Sequence, residues 1–198
     1  TIAVFQNGNI VATSTLPIGG EFITNDISIG FRTQVNIAEK IKLKYGCALI
    51  DDAQQDQVFK VSTIGSNSDK QYNQVDLANI IEPRVQEIFQ LIREEVTRLG
   101  YTDMPGGYVL TGGAVSMPGI LMVAQAELGT SVRIAVPEYV GVRDPAFTGG
   151  VGIIQYVHKF YKFQYSKSGF SKKSFSKKGS HGKPKLFETI KNWLSEFI

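Results

Sequence analysis

Between residues 162 and 185 the chain holds eight lysines, no acidic residue and no helical or strand periodicity. Such a stretch cannot bury enough apolar surface to offset the entropy of ordering it. The folded part must therefore be built from residues 1–161, with the basic stretch behind it as a tether of ~27 Å root-mean-square reach. Charge divides the same way: residues 1–161 carry a net −4, residues 162–185 carry +8 and residues 186–198 carry −1, for a total of +3. An apolar fraction of 42% is ordinary for a chain with a real core. A single cysteine excludes a disulfide-stapled module, and no run reaches the ~20 apolar residues that span a bilayer. The chain starts at Thr1 with no basic-then-apolar leader, and is expected to be a piece of a longer protein.

Within the folded part, strand and helix patterns alternate, which predicts an α/β protein. Ile2–Phe5 and Ile10–Thr13 flank Asn7-Gly8, a strong hairpin signal, and the second strand is expected to reach Leu16-Pro17-Ile18. Ile23, Ile27 and Phe31 line one side of a short helix, and residues 37–46 read as a helix stopped by Gly46. Residues 58–64 read as a strand and the polar run 65–69 as a turn. A long helical region covers about 74–99, with a kink or break expected at Pro83. Tyr108-Val109-Leu110 predicts a buried strand, followed by a helix over about 117–128, a strand at 132–136 and a last helix over about 145–161.

Candidate chemistry starts at Thr111-Gly112-Gly113, a glycine turn between strand and helix. Its backbone can approach an anionic or flat ligand closely, with the helix dipole in support. By itself it also reads as a tight connector. Glu39 and Lys42, three apart, share a helix face and can bind a ribose together or form a surface ion pair. Arg84 and Glu87 have the same spacing. Cys47 is expected to be a small buried hydrophobe. His158 and His181 form no metal-ligand cluster with it, and no nucleophile–base pair can be assembled.

The tail carries its own signal. In residues 185–198, Leu186, Phe187, Ile190, Trp193, Leu194, Phe197 and Ile198 form one continuous helical stripe opposite a polar face. A helix of this size is ~21 Å long, short of the ~30 Å hydrocarbon core, so it is expected to lie in the membrane interface. The lysines before it supply the second signal for stable anchoring to anionic lipid. Capping of the chain's own core and nucleic-acid binding by the tether are the competing readings, and no nucleic-acid partner is expected.

Pro17-Ile18-Gly19-Gly20, Ala38-Glu39-Lys40-Ile41-Lys42 and Thr111-Gly112-Gly113 follow the order seen in the second half of actin-like ATPases. With GGEFITNDISIGFRT, AEKIKLKYGCA, IIEPRVQEIF, LTGGAVSMPG and the closing amphipathic helix, the chain resembles the FtsA family of bacterial cell-division actin homologues. The resemblance implies the second lobe of an actin-like (ribonuclease H-like) ATPase. Residues 1–35 and 106–161 would form its core and 36–105 an inserted subdomain, with a disordered linker at 162–184 and a membrane helix at 185–198.

It also implies ATP with Mg2+ in the full-length protein, with Gly19, Gly20, Glu39, Lys42, Gly112 and Gly113 around the nucleotide. The family's first phosphate loop and catalytic acids lie upstream of this sequence, so the segment alone is expected to bind ATP poorly and not to turn it over. Implied partners are the FtsZ carboxyl-terminal tail at Arg84 and Glu87, anionic lipid, further copies in filaments and other divisome proteins. The implied place is the cytoplasmic side of the cell membrane at the division septum. The role is an adaptor tethering FtsZ filaments to that membrane; the alternative is a fragment of another actin-fold ATPase or sugar kinase with an incidental tail.

Overall fold

The computed structural model describes residues 1–65 and 68–167, with backbone alone for 162–167. The expected basic linker beyond Lys167 and the apolar stripe from Leu186 to Ile198, expected to lie on a membrane, are outside the described residues. The chain divides into a unit Thr1–Tyr156 and a unit Val157–Ile198.

Strands β1 (Ile2–Gln6) and β2 (Asn9–Ser14) form the expected antiparallel hairpin. Asn7 and Gly8 turn it with φ of 50° and 79°, the left-handed pair that a two-residue hairpin requires. The second strand ends at Ser14, before Leu16, where it pairs with Ile2, the first residue of β1. Helix α1 (Gly20–Gly30) buries Ile23 and Ile27, and Phe31 caps it. Helix α2 (Val35–Tyr45) buries Ala38 and Ile41 and stops at Gly46.

Strand β3 (Val58–Ser62) turns alternate residues Phe59 and Val61 inward. It pairs with β4 (Asp69–Asn73), a strand that starts on the last residue of the expected turn and covers residues 70–73, to which the sequence pattern assigned no element. DKQYN has one apolar-capable residue, Tyr72, and that ring stacks on Phe31 at 4.2 Å between centroids. Phe59 stacks in turn on Tyr45 at 4.7 Å, so the hairpin is held by aromatic contacts with α1 and α2.

Helix α3 (Gln74–Arg98) starts on a capping box in which Asn73 and Asp76 exchange hydrogen bonds of 2.9 Å. It runs through Pro83 as a single helix, against the expectation of a possible break. The proline removes one bond, to the Asn79 carbonyl. Leu77, Ala78 and Ile81 before it, and Val85 and Phe89 after it, remain buried on the same side, and α3 packs against both α1 and α4. That burial outweighs the lost bond.

Strand β5 (Tyr108–Leu110) pairs in parallel with β6 (Val132–Ile134) through the crossover helix α4 (Ile120–Leu128). The strand is less buried than expected, since Val109 faces solvent. Gly119, at φ 80°, must be glycine: a Cβ there would sit 2.8 Å from Leu49 Cβ. Helix α5 (Thr148–Lys167) extends six residues into the segment read as linker. Lengthening an existing helix needs no new nucleus, so residues of modest propensity can join it. One core cluster draws on α1, α2, β3, α3, α4 and β6, and therefore on both segments expected as separate subdomains. No described helix is long and apolar enough to cross a membrane. Cys47 is buried, as its sequence context suggested.

Candidate functional site

A cleft of about 1210 Å³ opens between the amino end of α1, the exposed side of α2 and the turn after β5. Gly20, Glu39, Lys42, Gly112 and Gly113 line it. Gly19 does not; it caps α1 from outside the lining. Residues separated by more than ninety positions are thus brought together, because α2 packs on α1 and the β5 turn carries Ala114 close to Gly20.

Each wall has a local cause. Gly112 has φ 108° and ψ 168°, a backbone that side chains disfavour, and it turns the chain from β5 into the 3-10 turn Gly113–Ser116. Thr111 beside it donates to the Ala135 carbonyl at 3.2 Å or to the Thr148 hydroxyl at 2.6 Å, tying the turn to β6 and the start of α5. Asp144 closes the rim and accepts from the Ala146 N–H at 2.8 Å.

The α1–α2 wall is a polar network. Lys42 Nζ donates to Glu39 Oε2 at 2.7 Å, Thr24 Oγ1 at 2.8 Å and the Gly20 carbonyl at 3.0 Å. An ammonium has three N–H groups, so all of them are engaged. Thr24 passes its own proton to Glu39 or to the Gly20 carbonyl. Burial pushes the Glu39 carboxyl up, but hydrogen bonds from Lys42 and Thr24, with the Lys42 charge, outweigh it and hold the group below its ordinary range. The Lys42 side chain is 10% exposed and that of Glu39 41%. Of the pair read as a ribose clamp, Glu39 is the one still open to a ligand, and Lys42 braces α1 against α2. Sequence reasoning missed Thr24 and Asp144. Thr24 stands one turn after Gly20 with nothing to set it apart from other helix threonines. Asp144 precedes Pro145, a cap signal that was readable.

Arg84 and Glu87 lie away from this cleft, on α3. Arg84 donates from Nε and Nη2 to both oxygens of Asp26 on α1, and from Nη1 to Glu87. The paired carboxylates, Asp26 foremost, raise the guanidinium pKa. A third cluster joins β2 to α3: Glu95 accepts from Arg98 at 2.7 and 2.6 Å and from the Ser14 hydroxyl. Those bonds hold the Glu95 carboxyl at about 2 against an ordinary 4.5. Among the described residues no three His, Cys, Asp or Glu side chains converge as a metal site would require.

A family model described as "Cell division protein FtsA" matches residues 1–152. The cell division protein FtsA of Bacillus subtilis (strain 168) is 49% identical over 169 residues, covering 85% of this chain and 38% of that protein. The FtsA of Pseudomonas aeruginosa is 35% identical over 201 residues, covering 98% of this chain and 47% of that protein. The chain therefore spans less than half the length of these curated relatives. The solved structure of MreB5 of Spiroplasma citri bound to AMPPNP superposes with a TM-score of 0.61 at 17% identity, over 82% of this chain and 51% of that one. Its ADP-bound form gives 0.60 at 16% identity, over 81% and 51%. That likeness establishes the actin-like fold.

Proposed function

The chain belongs to the FtsA family of cell division proteins, and we propose that it supplies one side of an ATP site in an adaptor that tethers FtsZ filaments to the inner face of the cytoplasmic membrane. The observation that carries the nucleotide part is the convergence of Gly20, Glu39 and the Gly112-Gly113 turn on one cleft. The cleft has room for a nucleotide. The glycine turn offers backbone that a base or phosphate can approach without meeting a side chain, and the half-exposed Glu39 carboxylate can accept from ribose hydroxyls. Lys42 holds that carboxylate in place. The same fold in MreB5 was solved with AMPPNP and with ADP, which supports a nucleotide here. Mg2+, where it accompanies the ATP phosphates, would neutralise part of their charge. ATP acts as a ligand of this cleft in this scheme.

The tether reading rests on residue pattern. Leu186, Phe187, Ile190, Trp193, Leu194, Phe197 and Ile198 form the apolar stripe, and the preceding lysines attract anionic lipid. Docking of the FtsZ tail is assigned to Arg84 and Glu87. Assembly into filaments and contact with other divisome proteins at the septum complete the role, and these come from family membership. The competing actin-fold ATPase or sugar-kinase reading is set aside by that membership.

Two measurements test this on the intact protein. Gly112→Val forces a β-branched side chain into a left-handed backbone beside the ligand, and should weaken binding of a fluorescent ATP analogue at least ~10-fold. Unchanged affinity would remove Gly112 from the nucleotide site. Vesicles of phosphatidylglycerol should sediment the protein, and Trp193→Glu or deletion of residues 185–198 should release it. Equal sedimentation of the variants would refute the tail as anchor.

A further inference from the structure

Thr24 stands one helical turn into α1 and lines the cleft beside Glu39 and Lys42, yet it is only 3% exposed. A β-branched side chain is restricted at χ1, and here the hydroxyl lies 3.1 Å from the Gly20 carbonyl, four residues back on the same helix. Its oxygen is therefore fixed relative to α1. Lys42 Nζ donates to that oxygen at 2.8 Å and to the Gly20 carbonyl at 3.0 Å. The single hydroxyl proton has two acceptors in reach, the Gly20 carbonyl and Glu39 Oε2. The carbonyl already takes a proton from Lys42, and a bond to a carboxylate is roughly twice as strong as one between neutral groups, so the hydroxyl proton goes to Glu39. Lys42 Nζ meets the same Oε2 at 2.7 Å. Both protein donors thus converge on Oε2, and among the described residues no donor reaches Oε1. We propose that Thr24 is a positioning residue for ribose selection: its hydroxyl, with Lys42, holds Glu39 by one oxygen so that the other meets the ribose hydroxyls of the bound nucleotide. The inference rests on the nucleotide reading given above and extends it to a choice between nucleotides that carry those hydroxyls and nucleotides that lack them.

The two donors to Glu39 differ in what their loss does. Lys42 spans three acceptors, and without it the whole α1–α2 wall loosens. Without the Thr24 hydroxyl, Glu39 pivots about a single ammonium contact and must be re-immobilised when ribose binds. A loosened wall weakens every nucleotide alike. A freed carboxylate weakens only the nucleotides whose hydroxyls it would have met. The ratio of affinities for ATP and 2′,3′-dideoxy-ATP, which differ in those hydroxyls alone, therefore separates a positioning role from a merely structural one.

The test is calorimetric titration of the intact protein with ATP and with 2′,3′-dideoxy-ATP, alongside a thermal melt of every variant. Wild type should favour ATP at least ~10-fold, as hydrogen bonds to a charged acceptor would give. Thr24→Val, nearly the same in shape but without the hydroxyl, should cut that preference to ~2-fold. Thr24→Ser restores a hydroxyl and should hold the preference within ~2-fold of wild type. A wild-type ratio in Thr24→Val overturns the positioning role, as does collapse of the ratio in Thr24→Ser. Should Thr24→Val melt below the assay temperature, Thr24→Cys replaces it. A thiol fills the place of the hydroxyl but donates weakly, so the preference should again fall at least ~3-fold, and a wild-type ratio would overturn the role. Glu39→Ala separates the two readings. If it erases the preference while Thr24→Val keeps it, Glu39 selects ribose and the role of Thr24 falls. If Glu39→Ala keeps the preference, or wild type shows none, the ribose contact falls and takes this inference with it. If wild type does not bind ATP, the nucleotide reading falls as well.

Discussion

Two ionic clusters hang from helix α1, and they differ in what they leave open. At the cleft, Lys42 places all three donors on Glu39, Thr24 and the Gly20 carbonyl, and its side chain is almost wholly buried. On the other side, Arg84 binds Asp26 and Glu87 with its side chain 25% exposed, and two of its donors remain. Both pairs of residues, Glu39 with Lys42 and Arg84 with Glu87, have the same spacing of three in the sequence. Burial separates them. In a closed environment a cation must satisfy every donor within the protein, because an unmade hydrogen bond there costs its full desolvation. At a surface the same kind of pair can leave donors to water, and hence to a partner.

The largest expected effect comes from breaking the buried cluster. Lys42→Ala leaves the Gly20 carbonyl, Thr24 and Glu39 without their shared donor, and should destabilise the fold by ~2–3 kcal/mol in urea unfolding. Arg84→Gln should cost less, ~1 kcal/mol, because its partners can return to water. If the two variants unfolded at the same urea concentration, the contrast between the clusters would be wrong.

The smallest effect is on pH dependence and sharpens the contrast at a third point. Glu95 is held at about 2 by Arg98 and Ser14 against an ordinary 4.5. The fold thus favours the ionised carboxylate. Its contribution is complete above pH ~4.5 and is lost as the pH falls towards ~2. Glu39, also held low, acts in the same direction. Urea midpoints of Glu95→Gln should therefore fall less steeply than wild type between pH 4.5 and pH 2.5; equal slopes would show that the Ser14–Glu95–Arg98 link adds nothing in the folded state.

Much of the architecture was legible from short-range pattern. The Asn7-Gly8 hairpin, the helices around Ile23 and Ile41, and the strand–glycine–helix run from Tyr108 all stand where the residues suggested. These signals are local: a turn needs its own two residues, and an amphipathic helix needs only its own period. Where the pattern misled, distant packing was responsible. Asp69–Asn73 is too polar to show a strand pattern of its own and is a strand that pairs with β3 while Tyr72 stacks on Phe31. Pro83 sits inside an unbroken α3 because both halves of the helix bury their faces on α1 and α4.

The site divides in the same way. The sequence alone singled out the Gly112-Gly113 turn, Glu39 with Lys42 and Arg84 with Glu87 as candidates, and it determined the amphipathic pattern of the tail. Only tertiary structure decided that Lys42 is a brace, that Thr24 belongs with it and that Asp26 holds Arg84. Those assignments depend on the packing of α1 against α2 and α3, which sets side chains fifteen to fifty-eight positions apart within hydrogen-bonding distance. Hydrogen bonds act over about 3 Å and are blind to separation along the chain, so no local pattern records them.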